Sequence, residues 1–203
     1  MNNLITFEGI DCSGKSTQIK LLEKKLIDNN ILHSIYREPG GNPLSEKIRE
    51  ILLDKTIDMS NEAETLLFLA ARAELTNKNL FSDLKENKVV ICDRFSDSTL
   101  AYQGYGKKID KDIIMRCNKF ATNNLEPQLT FILDIDYEII SQRMKGKKDR
   151  MEENSSIFFQ DVINGYKKLA LNNPSRYFII DGVLTEDIIH NFIWDKINER
   201  CEL

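Results

Sequence analysis

The fold of this chain is decided by the stretch Gly9-Ile10-Asp11-Cys12-Ser13-Gly14-Lys15-Ser16, which fits the pattern G-x-x-x-x-G-K-[ST]. It directly follows an apolar run, Leu4-Ile5-Thr6-Phe7. In this pattern a strand passes through a glycine turn into a helix, and backbone N–H groups surround an anion at the helix N-terminus. Gly9 and Gly14 permit the backbone angles that the turn requires. The sequence therefore predicts a strand, a phosphate-binding loop and a helix, in that order.

The side chains of the same loop suit a nucleoside triphosphate and a metal ion. Lys15 is expected to reach the β- and γ-phosphates, and the Ser16 hydroxyl is expected to bind Mg²⁺. The nucleotide-binding set predicted from the motif comprises Gly9, Ile10, Asp11, Cys12, Ser13, Gly14, Lys15, Ser16 and Thr17.

Composition narrows the class of protein. A chain of 203 residues is long enough for a single α/β domain spanning residues 1–203. Its net charge of −4 argues against a nucleic-acid partner, which would favour a basic surface. The four cysteines contain no C-x-x-C pair and are expected to be free thiols in a reducing compartment. Without a signal sequence or an apolar run of ~18 residues, the chain is predicted to be cytoplasmic and to have no membrane partner.

Strand-like and helix-like segments alternate, which predicts a parallel sheet flanked by helices. The predicted strands are Leu4–Glu8, Leu32–Arg37, Val89–Asp93, Leu129–Asp134 and Tyr177–Asp181. The predicted helices are Lys15–Asn29, Ser45–Leu53, Glu62–Glu86, Lys111–Thr122, Tyr137–Lys145, Phe158–Leu171 and Glu186–Glu199. The third helix is expected to begin with a capping box of Asn61 and Glu64. Acidic residues end several strands, at the sheet edge where ligands bind in open α/β folds.

Two charged motifs follow predicted strands. Asp93 and Arg94 come directly after an apolar strand, where an aspartate binds Mg²⁺ and an arginine offers a fork to phosphate oxygens. A surface ion pair at a strand end is the alternative. Arg37-Glu38-Pro39-Gly40-Gly41 forms a rigid turn that holds a charged pair at the sheet edge, although an ordinary solvated turn remains open. Arg49, on the next helix, is positioned to face the same cleft.

Three further segments carry weaker signals. Phe68 and Arg72 share a helical face and suit a stacked base, although spacing alone favours a core phenylalanine beside a surface arginine. The segment Ser98 to Gly104 offers hydroxyls and an amide near the cleft. The segment Arg143 to Arg150 holds five basic residues and one acidic residue. That segment is typical of a lid that closes over polyphosphate, with a solvated basic loop as the alternative.

Together these motifs resemble the thymidylate kinase family over most of the chain, from about Leu4 to Asp181. The resemblance rests on Phe7-Glu8-Gly9 with the loop, Arg37-Glu38-Pro39-Gly40-Gly41, Leu67-Phe68-Leu69-Ala70-Ala71-Arg72, Asp93-Arg94-Phe95, Ala101-Tyr102-Gln103-Gly104 and Asp149-Arg150. It implies a P-loop nucleoside-monophosphate-kinase fold with a five-stranded sheet and a short lid at about residues 143–152. It also implies a homodimer that phosphorylates dTMP to dTDP with ATP and Mg²⁺.

The resemblance also implies roles for individual residues, beginning with dTMP. On the base, Phe68 and Arg72 are implied to contact thymine, and Thr99 and Gln103 complete its recognition. On the sugar, Tyr102 lies against the ring and Asp11 near the 3′-hydroxyl. On the phosphate, Arg94 and Arg49 are implied to bind it, with Glu38 beside it. The implied metal ligands are Ser16, Asp93 and Glu38. The implied catalytic residues are Lys15, Arg94, Arg143 and Arg150. The variable loop positions carry no basic residue, which resembles the bacterial type with a lid arginine.

Two departures from the family pattern and three alternatives remain. Phe95 stands where the family usually has a tyrosine, and the tail after Asp181 matches no pattern of the family. A GTPase is disfavoured because no Asn-Lys pair is followed by an aspartate two residues after the lysine. A deoxynucleoside kinase would need a carboxylate base, which Glu38 could supply. A kinase for another monophosphate, such as dUMP, is the third alternative.

Overall fold

The computed structural model describes residues 3–143, 150 and 154–201. Its sheet confirms the predicted five parallel strands, in the order β2-β3-β1-β4-β5. The strands are β1 (Leu4–Glu8), β2 (His33–Arg37), β3 (Val89–Asp93), β4 (Leu129–Asp134) and β5 (Tyr177–Asp181). Only β2 differs from the prediction, since it begins one residue later, at His33.

Helices cover both faces of the sheet. They are α1 (Lys15–Asp28), α2 (Pro43–Leu53), α3 (Asn61–Leu75), α4 (Phe81–Lys85), α5 (Ser96–Thr99), α6 (Lys111–Thr122), α7 (Tyr137–Arg143), α8 (Ser156–Asn172) and α9 (Glu186–Arg200). Two π-helical segments, Thr76–Leu80 and Leu100–Gly106, join α3 to α4 and extend α5. The predicted helix Glu62–Glu86 is therefore one helical stretch containing a π-turn, whereas the helical structure at 96–106 was not predicted.

The predicted capping box at the start of α3 is wrong. Ser60 is the N-cap, and its side chain accepts a hydrogen bond from the backbone N–H of Ala63. Asn61 is already the first helical residue, so the box is out of register by one position. Glu64 is buried and points away from the helix end, toward partners described below.

The core lies on both sides of the central strand, all five residues of which are buried. Alternate residues of β4 point to opposite faces, as expected for a strand. Phe131 belongs to the cluster formed with α1 and α9, whereas Ile132 belongs to the cluster formed with α8. This double coverage explains why the central strands are apolar throughout.

The carboxyl ends of three neighbouring strands lie level with one another and place the charged motifs. Asp93 is in register with both Phe7 of β1 and Arg37 of β2. The loop after β1, the turn after β2 and the aspartate–arginine pair therefore meet at one edge. In the part of the chain that the structure describes, no helix is both long enough and apolar enough to span a membrane.

Candidate active site

The loop between β1 and α1 has the backbone that its glycines predict. Gly9 and Gly14 adopt φ values of 131° and 103°. A Cβ on Gly9 would lie 2.6 Å from the backbone oxygen of Leu133, so a larger residue would collide with β4. Gly14 is the N-cap of α1, which places the loop at the N-terminus of a helix 14 residues long. This is the arrangement that binds a phosphate group.

Lys15 lies at the floor of this loop and is buried. Its Nζ donates to the backbone oxygens of Gly9 at 3.1 Å and Ile10 at 3.0 Å. Burial, followed by the charge of Arg94, lowers the pKa of Lys15, while the nearby carboxylate of Asp11 opposes that shift. A cation held inside the loop is placed to meet the phosphates that the loop amides attract.

Oxygen ligands for a cation lie beside the same loop. The Ser16 hydroxyl donates to Asp93 Oδ2 at 3.5 Å. Asp93 Oδ1 and Glu38 Oε1 are buried and accept no hydrogen bond from the described residues. Carboxylate and hydroxyl oxygens suit a hard divalent ion. Within the described ranges, no three histidine, cysteine, aspartate or glutamate side chains cluster as a metal site.

Arg94 connects the loop to the second half of the site. Its Nη1 donates to the backbone oxygen of Gly9 at 2.8 Å, and its Nη2 donates to Asp11 Oδ1 at 2.7 Å. The guanidinium lies over the ring of Tyr102, 5.2 Å from the centroid. Although burial raises the pKa of Asp11, the charges of Arg94 and then Lys15 lower it to about 2. The pair is therefore fully ionised at neutral pH.

A buried carboxylate supports the backbone that carries Arg94. Glu8, at the end of β1, accepts hydrogen bonds from the Phe95 backbone N–H at 2.8 Å, the Ser98 hydroxyl at 2.6 Å and the Tyr166 hydroxyl at 2.9 Å. Burial, followed by the nearby charge of Asp97, raises the pKa of Glu8 to about 7. These contacts fix the chain that leaves β3 against the end of β1.

A second cavity opens beside Arg94 and has mixed polarity. Its lining includes apolar and hydroxyl-bearing side chains from α2, α3, α5 and the π-helical segment after α5. The lining residues are Asp11, Glu38, Pro39, Arg49, Leu53, Phe68, Arg72, Arg94, Ser98, Thr99, Tyr102 and Gln103. The Tyr102 hydroxyl is buried and has no hydrogen-bond partner among the described residues. An aromatic ring with polar neighbours suits a nucleobase and its sugar.

Arg72 is engaged within the protein through all its donors. Its Nε and Nη2 donate to Glu38 Oε2 at 2.8 Å and 2.6 Å. Its Nη1 donates to Thr99 at 2.7 Å and Asn118 at 2.8 Å, and Nη2 also donates to the Phe95 backbone oxygen at 2.9 Å. The expected surface arginine is thus a buried one, because four separate segments supply acceptors. Burial raises the pKa of Glu38, and the charge of Arg72 opposes that shift.

The two arginines of the predicted lid lie in different places. Arg143, at the end of α7, approaches the loop, with Nη1 3.5 Å from the Cys12 backbone oxygen. Arg150 instead donates to the Leu52 backbone oxygen at 2.8 Å and pairs with Glu64 at 2.6 Å. The remaining lid positions, 144–149 and 151–152, lie outside the described residues. The structure thus brings Arg143, but not Arg150, next to the phosphate-binding loop.

The cavities gather most of the residues predicted from sequence. A phosphate-side cavity of about 450 Å³ is lined by Asp11, Cys12, Gly14, Lys15, Ser16, Thr17, Arg37, Glu38, Arg49, Asp93 and Arg94. Arg49 lines both cavities and donates to the Pro39 backbone oxygen at 3.1 Å. The predicted residues that line neither of these two cavities are Gly9, Ile10, Ser13, Arg143 and Arg150.

Sequence reasoning assigned no role in the site to several residues that belong to it, and it took one of them, Glu64, for a helix cap. Glu8 carried a signal, because an acidic residue at the end of a buried strand is unusual unless it has partners. Glu64 carried a similar signal, since it lies four residues before Phe68 on a largely apolar helix. Tyr166 and Lys107 gave no signal, because only the tertiary fold brings α8 and the π-helical segment to this place.

Known proteins resemble this chain along most of its length. The family model described as thymidylate kinase matches residues 7–193. A thymidylate kinase of Prosthecochloris aestuarii is 42% identical over 207 residues, covering 97% of this chain and 93% of that protein. A thymidylate kinase of Thermosipho africanus is 45% identical over 184 residues, covering 90% and 91%. A crystal structure of thymidylate kinase from Ehrlichia chaffeensis, 36% identical, has a TM-score of 0.78 and covers 96% of this chain and 97% of that one.

Proposed function

The chain belongs to the thymidylate kinase family, whose reaction is the phosphorylation of dTMP, and we propose that its two joined cavities hold ATP and dTMP end to end. Relatives of this identity and coverage do not favour the alternative of a deoxynucleoside kinase or of a kinase for another monophosphate. The roles of the individual residues are the substance of the proposal.

One observation carries it. The phosphate-side cavity and the second cavity share four lining residues: Asp11, Glu38, Arg49 and Arg94. Two of them are arginines, and both therefore face the volume in which the two cavities meet. Two polyanionic nucleotides that approach head to head need cationic donors at their junction. The shared wall is thus the place where the phosphate of dTMP would meet the γ-phosphate of ATP.

ATP is assigned to the phosphate-binding loop. The loop backbone from Gly9 to Thr17 would surround the triphosphate, and Lys15 would leave its backbone acceptors to contact the β- and γ-phosphates. Ser16 and Asp93 would hold Mg²⁺, with Glu38 on the side of the monophosphate. When bound, the ion neutralises charge on the β- and γ-phosphate oxygens.

dTMP is assigned to the second cavity. Phe68 offers its ring to thymine, and Thr99 and Gln103 supply polar groups to the base edge. Tyr102 lies on the sugar side, where its unpartnered hydroxyl supports a polar ligand. Asp11 is assigned to the deoxyribose 3′-hydroxyl.

The donors of Arg72 already have acceptors in the protein. Arg72 can donate to thymine only by sharing or releasing one of those contacts.

The transfer needs alignment more than proton removal. The second pKa of a phosphate monoester is about 6, so dTMP is largely dianionic at neutral pH and needs no general base. Lys15, Arg94 and the loop amides would neutralise repulsion between the two phosphates. Arg143, which approaches the loop, is the supported lid arginine. A transition-state role for Arg150 stays a prediction, since its guanidinium would first have to leave Glu64.

The direct test measures ADP release with dTMP, dUMP, a purine monophosphate and thymidine as acceptors, with and without Mg²⁺. We expect turnover with dTMP, little with thymidine, and none without the metal. Efficient phosphorylation of thymidine together with inactivity toward dTMP would contradict the proposal.

The family resemblance also supports a homodimer. Leu66 on α3 and Phe120 on α6 are 62% and 90% exposed, and Ile113 on α6 is 58% exposed. The helices α3 and α6 pack against each other, and we assign these exposed apolar residues to the surface that a second copy would cover. Sedimentation should give about twice the mass of one chain, and Phe120→Glu should shift it toward one chain.

A cytoplasmic location stays a prediction. It is supported by the four cysteines, since no disulfide joins them among the described residues.

A further inference from the structure

The cluster around Glu64 lies beside the second cavity but outside the assigned machinery. Glu64 is fully buried on α3. Lys107 Nζ donates to its Oε2 at 2.8 Å, Arg150 Nη2 pairs with the same oxygen at 2.6 Å, and Gln103 Nε2 donates to its Oε1 at 3.0 Å. Burial alone raises the pKa of Glu64, but the donors from Lys107, Gln103 and Arg150 bring it below its ordinary value. The side chain is therefore a carboxylate at neutral pH.

A carboxylate fixes which way the Gln103 amide faces. An ionised carboxylate accepts hydrogen bonds and donates none, so only the NH₂ end of the glutamine can face it. Gln103 is buried and lines the second cavity, and its Oε1 accepts no hydrogen bond from the described residues. Reversing the amide would bring Oε1 against the oxygens of Glu64. The group left for a ligand is therefore an acceptor, not a donor.

This polarity distinguishes pyrimidines. Thymine and uracil carry a proton on N3, which an acceptor can receive, whereas cytosine presents a lone pair at N3. We propose that Glu64 is a specificity-determining positioning residue: it holds Gln103 with its carbonyl oxygen toward N3 of the base and so excludes cytidine nucleotides. The inference rests on the proposed function, because it places the base of dTMP in the second cavity.

Positive charge beside Glu64 stabilises its ionised form. Arg150 binds Oε2, whereas Lys107 contacts both oxygens, Oε1 at 2.7 Å and Oε2 at 2.8 Å, so Gln103 shares Oε1 with Lys107. Two positive charges make protonation of Glu64 unfavourable. The Arg150 contact thus gives that residue a role beside the base, in addition to any contact with phosphate.

The test compares kcat/KM for dTMP, dUMP and dCMP in four variants of the full-length enzyme. Glu64→Gln keeps the size of the side chain but can donate as well as accept, so the Gln103 amide becomes free to turn. Lys107→Met is the matched control, because it removes one partner of Glu64 and leaves the carboxylate with Arg150. Gln103→Met removes the amide at nearly constant volume, and the double variant Glu64→Gln/Gln103→Met asks whether Glu64 acts through Gln103.

We expect the wild type to favour dTMP and dUMP over dCMP. Glu64→Gln should lower the dTMP/dCMP ratio of kcat/KM about 10- to 100-fold, the range expected when one charge-assisted hydrogen bond no longer opposes reorientation. Lys107→Met should leave the ratio unchanged. Gln103→Met should lower kcat/KM for dTMP and dUMP but not for dCMP, and adding Glu64→Gln to it should not change the ratio further.

Several results would overturn the inference. One is an equal loss for all three nucleotides in Glu64→Gln, which indicates a purely structural role. Another is that Lys107→Met lowers the dTMP/dCMP ratio of kcat/KM as much as Glu64→Gln does. A third is that the double variant has a lower ratio than Gln103→Met alone. If Glu64→Gln does not fold, Gln103→Met still tests the inference. An equal loss of kcat/KM for dTMP and dCMP in that variant would show that Gln103 does not accept a hydrogen bond from N3, which contradicts the inference. Failure of the wild type to turn over dTMP would instead refute the proposed function itself.

Discussion

Replacing Arg94 by lysine tests the shared wall of the two cavities most directly. The substitution keeps the charge but exchanges a planar fork of five N–H donors for a compact ammonium. In the structure, Nη1 is used by the Gly9 backbone oxygen and Nη2 by Asp11. One N–H of Nη2 and that of Nε remain for a phosphate. A lysine would donate to Gly9 and Asp11 and would have too few donors left to contact both nucleotides.

The expected magnitude follows from the lost contacts. Removing one preorganised donor to developing charge typically costs about 10²- to 10³-fold in kcat. We therefore expect Arg94→Lys to lower kcat with dTMP about 10²- to 10³-fold, with a smaller change in KM for ATP. The fold should persist, because the partner carboxylate of Asp11 is 37% exposed and a lysine can still pair with it.

The assay is steady-state ADP release with either substrate varied, accompanied by thermal unfolding. Arg200→Lys is the matched control, because Arg200 is exposed at the end of α9. A variant at position 94 with kcat within threefold of the wild type, whatever its KM, would refute the assignment of Arg94 to the transition state.

Three other substitutions test neighbouring parts of the site. Lys15→Ala should abolish turnover while circular dichroism stays unchanged, and near-normal kcat would contradict its contact with phosphate. Glu8→Gln should remove a pH dependence of stability. Because the folded pKa of Glu8 is raised from 4.5 to about 7, the wild type should lose about 3 kcal/mol of unfolding free energy as the pH rises between those values. Urea titrations of both proteins measure this loss, and parallel pH profiles of the two would show that Glu8 does not cause it. Arg150→Ala should lower kcat more than it raises KM for dTMP if Arg150 acts in the transition state; an effect confined to KM would argue against that role and favour its contact with Glu64 alone.

Local sequence rules were sufficient for most of the fold. The strand–loop–helix unit around Gly9 and Gly14 is specified by steric limits on single residues, so both the motif and the element bounds were predictable. The parallel sheet followed from alternation of short apolar runs with amphipathic helices. The π-turn at Thr76–Leu80 was not predictable, because one inserted residue leaves the apolar pattern almost unchanged.

The site was predictable where a residue's role is local and unpredictable where it depends on a distant partner. Asp93 and Arg94 follow a strand, and their position at the sheet edge follows from that fact alone. Glu64 looked like a capping residue because Asn61 stands three positions before it, but burial against Lys107 and Arg150 decides its role. Those partners are 43 and 86 positions away along the chain, beyond any periodicity argument.

The engagement of Arg72 has a consequence for redesign of the enzyme. The residue ties α3 to four other segments, so a library randomised at this position would be depleted by misfolding before any preference for a new base is expressed. Lysine would be lost with the rest, because three donors on one nitrogen cannot replace a planar fork. Selections for altered nucleotide use therefore have more room at Phe68, one turn earlier on α3, and at Tyr102 in the π-helical segment, while position 72 is held constant.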